Sequence, residues 1–227
     1  MKSYVWVLLL AAAMPAAAQE AVDSIGFGGW VELSAAGEVE KFEPSQRPPL
    51  SNALRPIVIK QVRAADFLPA QGAAGPVASR SWLDGRVQMI PNGENVIVRT
   101  ARLKLGPRVI SRAAARYPEA LRDTAAELVL VFTVTTAGRA GNFEVLAEPT
   151  VDPAFGQAAI TALHGWRFDP EQRDGQPVAT RMQLWFRFLP EGAPGGAEVA
   201  PLPVPEGRPQ VAGQDASVEL VEVRAGG

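Results

Sequence analysis

Residues 166–189 read WRFDPEQRDGQPVATRMQLWFRFL, and the pattern changes twice within them. Trp166 and Phe168 lie two apart, so in an extended segment their side chains point to one side. Asp169 to Pro177 then carries turn chemistry in Pro170, Asp174, Gly175 and Pro177. Beyond the turn, Met182, Leu184, Phe186 and Phe188 share one parity, while Arg181, Gln183, Trp185 and Arg187 share the other. That alternation predicts a strand with one buried face and one amphipathic face.

Working outward, the chain reads RYPEALR from Arg116, then ELVLVFTVTTAGRAGNFEVL, then DPAFGQAAITALHGWRFDP. The middle segment predicts strands at residues 128–134 and 142–146 around an Ala137-Gly138 hairpin turn. The last predicts a helix, with Asp152 as N-cap, Pro153 in the first position and Gly165 at the end. A Tyr-Pro dipeptide, an AG turn, an Ala-rich helix, a WRFDP element and a GQPV turn follow in that order. Over residues 110–190 this order resembles the C-terminal domain of TonB-type energy transducers.

A second copy is legible upstream. An offset of 101 carries Ala36-Gly37 onto Ala137-Gly138, Phe42-Glu43 onto Phe143-Glu144, and Phe67, Pro69 and Gln71 onto Phe168, Pro170 and Gln172. It also aligns Pro76-Val77-Ala78 and Arg80 with Pro177-Val178-Ala179 and Arg181, and gives 14 identities over positions 36–80 without a gap. Composition alone would give roughly three or four. Together with the resemblance, this implies an α+β fold: two tandem TonB-C-like units, each a small antiparallel sheet with one or two helices packed on one face. The expected division is a signal peptide at 1–18, a diverged unit at 19–106, a TonB C-terminal-like domain at 107–191 and a Pro/Gly-rich flexible tail at 192–227. The first helix, with Ser51 or Asn52 to cap it and Pro56 in its first turn, is expected to be the shorter. The first unit also continues into a long hairpin through Pro91-Asn92-Gly93. Ser217 to Val223 alternates and is read as a strand that could add to an edge of either copy.

Lys2, the apolar run from Val5 to Met14 and the Ala16-Ala17-Ala18 site predict export, with the mature chain starting at Gln19. The alternative keeps this segment as an uncleaved inner-membrane anchor. Removing Lys2 leaves 21 basic and 24 acidic residues without a basic block, which argues against nucleic acid as a partner. Cysteine is absent and His164 is the single histidine, so thiolate and His-pair metal sites are excluded. With no nucleophile motif or phosphate-binding loop, no enzyme activity, metal or cofactor is expected.

The resemblance implies instead a binding protein of the Gram-negative periplasm. In the family, residues around the Tyr-Pro dipeptide and the last strand of the domain contact the short TonB box of outer-membrane transporters, which adds as an extra strand. The corresponding candidates are Arg116, Tyr117 and Pro118 with Arg181, Gln183 and Trp185, and the expected partner is an envelope protein or a TonB-box-like peptide. A plainer reading has Tyr117 packing under a helix that Pro118 starts. Two further functional readings stay open: a genuine energy transducer with an anchor, and an envelope scaffold dimerised through edge strands.

Overall fold

The computed structural model describes residues 23–46, 49–193 and 219–225. The expected signal peptide and most of the Pro/Gly-rich tail lie outside them. The first half contains strands β1 (Asp23–Leu33) and β2 (Val39–Pro44), helix α1 (Leu54–Arg63), and strands β3 (Ala70–Gly72), β4 (Gly75–Val77), β5 (Ser79–Asn92), β6 (Asn95–Gly106) and β7 (Arg108–Ser111). The second contains β8 (Ala126–Val134), β9 (Ala140–Leu146), α2 (Pro153–Gly165), β10 (Arg167–Asp169), β11 (Gln172–Arg173), β12 (Gln176–Pro177), β13 (Thr180–Leu189) and β14 (Glu219–Arg224). The fold is α+β with mostly antiparallel sheets and two α-helices among the described residues.

Alternation builds the second sheet. Leu128, Leu130, Phe132 and Val134 of β8 face one way, opposite Phe186, Leu184, Met182 and Thr180 of antiparallel β13. β9 pairs with the other edge of β8, and the strand order is β14-β13-β8-β9. Helix α2 closes the apolar face with Phe155, Ala159 and Leu163. It starts where expected: the Asp152 carboxylate accepts a bond from the Ala154 amide at 2.8 Å, and Pro153 occupies the first turn. Trp166 and Phe168, read from parity as facing one side, both enter this core, and the Trp166 indole donates to the Ala113 carbonyl at 3.0 Å.

The first sheet has its own core of Phe27, Val31, Leu33, Phe42, Val58, Val62, Leu83 and Val87. Helix α1 has 10 residues against 13 in α2, and Pro56 lies in its first turn. β5 and β6 form the long hairpin expected around Asn92-Gly93. The Gln61 side chain of α1 reaches β6, donating to the Val98 carbonyl at 2.8 Å and accepting from the Thr100 amide at 2.6 Å. A side-chain amide thus satisfies main-chain groups there as a neighbouring strand would.

Registers recur between the halves. Val31 pairs with Ser81, and Phe132 with Met182; Leu33 pairs with Ser79, and Val134 with Thr180. Gly37 (φ 86°) and Gly138 (φ 70°) occupy equivalent turns, and a Cβ on either would strike a carbonyl oxygen, of Phe67 and Phe168 respectively. What the sequence left as a plain turn, residues 170–177, does more. β11 pairs with β5 of the first sheet, Gln172 opposite Arg80. The Glu171 carboxylate accepts from the Ser81 and Thr180 hydroxyls, both at 2.7 Å, and so ties the start of β5 to the start of β13. β7 pairs with β10, both within residues 107–191.

Gly138→Ala is expected to destabilise the protein by more than about 2 kcal/mol, since positive φ and a carbonyl clash add. Gly175, also at positive φ but with open space around it, should lose about 1 kcal/mol on the same change. Urea unfolding of both variants measures the difference.

Candidate partner-binding edge

β13 gives one edge to β8 and directs the other outward. The Ala225 amide donates to the Leu189 carbonyl at 3.1 Å, which fixes the parity. Main-chain groups two apart in a strand point the same way, so those of Arg181, Gln183, Trp185 and Arg187 point to this outer edge. β14 lies along it in parallel register, from Leu184 opposite Glu219 to Leu189 opposite Arg224. Among the described residues, that ladder covers Leu184 to Leu189.

Side chains reinforce the pairing. Val223 is buried, Val221 is partly buried, and both pack into the core beside Phe186 and Phe188. On the opposite face, Arg187 donates from Nε to Glu127 Oε1 at 2.8 Å, while its Nη1 lies 3.7 Å from Glu222 Oε1 of β14. The Arg187 side chain is only 5 % exposed. A buried guanidinium is costly without carboxylate partners, and these two come from the strands on either side of it.

Tyr117 packs edge-on against Phe155 of α2 and Phe188 of β13, with ring centroids 5.7 and 5.6 Å apart. Its hydroxyl donates to the Thr124 carbonyl at 2.6 Å. Burial, and secondarily the negative charge of Asp123, push the phenol above the usual tyrosine range. Pro118 is extended and precedes a short 3-10 turn, Glu119–Leu121. Arg116 is exposed.

The six candidate residues therefore do not form one patch. Tyr117 meets β13 from the core face, whereas Arg181, Gln183 and Trp185 lie on the other face. Arg181 is exposed and bonded to Glu144 at 2.9 Å, Gln183 is half-buried, and Trp185 is buried. Sequence reasoning missed Glu127 and Glu222 as partners of Arg187. Alternation did mark the tail as a strand, but carried no sign of where it would pair.

Residues 113–190 match a protein family described as the Gram-negative bacterial TonB protein C-terminal. This segment is a TonB C-terminal domain. It begins at Ala113, the acceptor of the Trp166 indole, and ends just past β13, so β14 and the first sheet fall outside it. A search of curated proteins gave no significant match. Among the described residues, no helix is long and apolar enough to cross a membrane, and no three metal-ligating side chains gather.

The raised phenol pKa of Tyr117 in the TonB domain carries a stability signature. The folded state holds the proton more tightly, so its contribution is complete below the unfolded tyrosine pKa of about 10 and is lost as pH rises through the higher folded value. Ultraviolet difference titration should place Tyr117 above the ordinary range. Tyr117→Phe should remove this alkaline loss while costing about 1 kcal/mol at neutral pH for the Thr124 hydrogen bond.

Proposed function

We propose that the chain is a non-enzymatic TonB-like protein of the Gram-negative periplasm, whose TonB domain takes up a segment of an envelope protein by strand addition along β13. TonB-dependent envelope transport is the process it serves. One observation carries this reading: the outer edge of β13 accepts a strand, and β14 runs along it from Leu184 to Leu189. In such pairing the main chain supplies affinity and side-chain pockets supply selectivity. Phe186 and Phe188 provide apolar positions there, and Arg187 an acidic one.

We read the two halves as descendants of one duplicated module. In support, β1-β2-α1-β5 and β8-β9-α2-β13 follow one order, with a common offset in strand register and a glycine turn at the same place. The second functional reading is a structural scaffold, and the coverage of β13 by β14 favours it. In that case the edge is closed permanently.

A photo-crosslinking residue at Gln183 separates the two. In envelope extract it should capture one defined outer-membrane protein through an extended segment, and Gln183→Pro should leave the isolated protein folded yet abolish retention of that protein in a pull-down without crosslinking. Labelling no stronger than from exposed Gln157 on α2 would remove the strand-addition reading and leave the scaffold.

A further inference from the structure

We infer that β14 is an exchangeable occupant of the β13 edge, a resident stand-in for the incoming segment. On this inference, the edge selects parallel strands with the pattern apolar, acidic, apolar. The inference rests on the reading of β13 as a strand-accepting edge and specifies what that edge recognises and what guards it.

The domain is complete without β14. Of the fifteen buried residues in the core cluster of the second sheet, β14 supplies Val223 alone. The others come from β8, α2, β10, β13 and Trp166, and the family match ends at residue 190, before the strand begins. Among the described residues, β14 pairs with β13 and with no other strand, so releasing it breaks one ladder. Several contacts hold it in register, the Arg224 guanidinium donating to the Ala193 carbonyl at 3.2 Å among them. Val221 and Val223 sit beside Phe186 and Phe188 on the core face, Glu222 lies by Arg187 on the other, and the Ala225 amide bonds the Leu189 carbonyl. A replacing segment has to reproduce these: two apolar side chains flanking one carboxylate, running in the direction of β13.

The buried Arg187 gives the requirement its sign. Glu127 is fixed on β8 and remains when β14 leaves, so Arg187 keeps one carboxylate in either state. The second position, filled by Glu222, belongs to whichever strand is bound. An incoming lysine or arginine at that position would face a buried guanidinium, and a neutral residue would forgo the ion pair.

Competition follows from the covalent link. A tethered strand competes at an effective concentration on the order of millimolar. A free segment therefore binds the intact chain weakly, unless its own pairing is much tighter or the resident strand is disabled.

The test uses the full chain and a fluorescent peptide of residues 217–225, SVELVEVRA. Val223→Asp in the protein places a charge in the core position of the resident strand and leaves β13 untouched. The variant should bind the peptide at least tenfold more tightly than the unaltered chain, and a peptide carrying Glu222→Lys should lose most of that gain. Equal binding by both proteins, or none by either, would overturn the inference. If Val223→Asp fails to fold, a protease site placed between residues 200 and 210 of the unaltered sequence decides instead. After cleavage, excess labelled peptide should replace the C-terminal fragment. A fragment that stays bound while no label enters would overturn the inference. Neither assay contains an envelope protein, so failed crosslinking at Gln183 with intact exchange sinks only the partner reading. Crosslinking without exchange sinks only this one.

Discussion

The antiparallel pairing of β8 with β13 is the constraint on which the second half depends. Its register puts Leu128, Leu130, Phe132, Leu184, Phe186 and Phe188 on one face, and that face is what α2, Trp166, Phe168 and Tyr117 pack against. A slip of β13 by one residue would turn Leu184, Phe186 and Phe188 away from the face that Leu128, Leu130 and Phe132 share. Buried aliphatic and aromatic side chains contribute about 1.5–3 kcal/mol each, so this pair carries the largest share of the local driving force. Having spent one edge of β13 on β8, the fold must deal with the other, because an open ladder invites unwanted pairing.

The two sheets deal with the corresponding edge differently. In the first, β5 is covered by β11 at its start and by β6 beyond, and Gln61 then satisfies part of the outer edge of β6. This closure uses segments from both halves and leaves little room for a guest. In the second, the cover is a single short strand arriving from beyond residue 190. The asymmetry is chemical as well: β13 carries a buried arginine whose carboxylate partners sit on both neighbouring strands. A permanent edge cover needs no such charge, whereas a selective one can use it.

Much of this was legible in the chain. The parity of residues 181–188, the turn at Ala137-Gly138, the caps of α2 and the repeat at an offset of 101 all rest on local or periodic signals. The strand parity, the glycine turn and the caps each have their place in the structure. Strand registers at that offset match, with Val31 opposite Ser81 and Phe132 opposite Met182. Pairings between distant segments leave no such mark. Gln172-Arg173 is polar, two residues long and flanked by turn formers, so it reads as loop until Ser79 and Arg80 supply a partner. The acidic partners of Arg187 were likewise hidden, and Trp185 and Arg187, assigned to an amphipathic face, are buried there. Alternation identifies a strand but does not name its neighbour. For that reason the address of β14 had to come from the structure.

Native-state hydrogen exchange tests the central claim most directly, because it reads the opening of β14 separately from that of the sheet beneath it. By the strand parity, the amides of Val221, Val223 and Ala225 point toward β13, and those of Leu128, Leu130 and Phe132 lie in the β8–β13 ladder. A detachable β14 opens alone, so its amides should be protected about two orders of magnitude less than those of β8. Equal protection of the two sets, lost together only on global unfolding, would make β14 an integral strand and contradict the account.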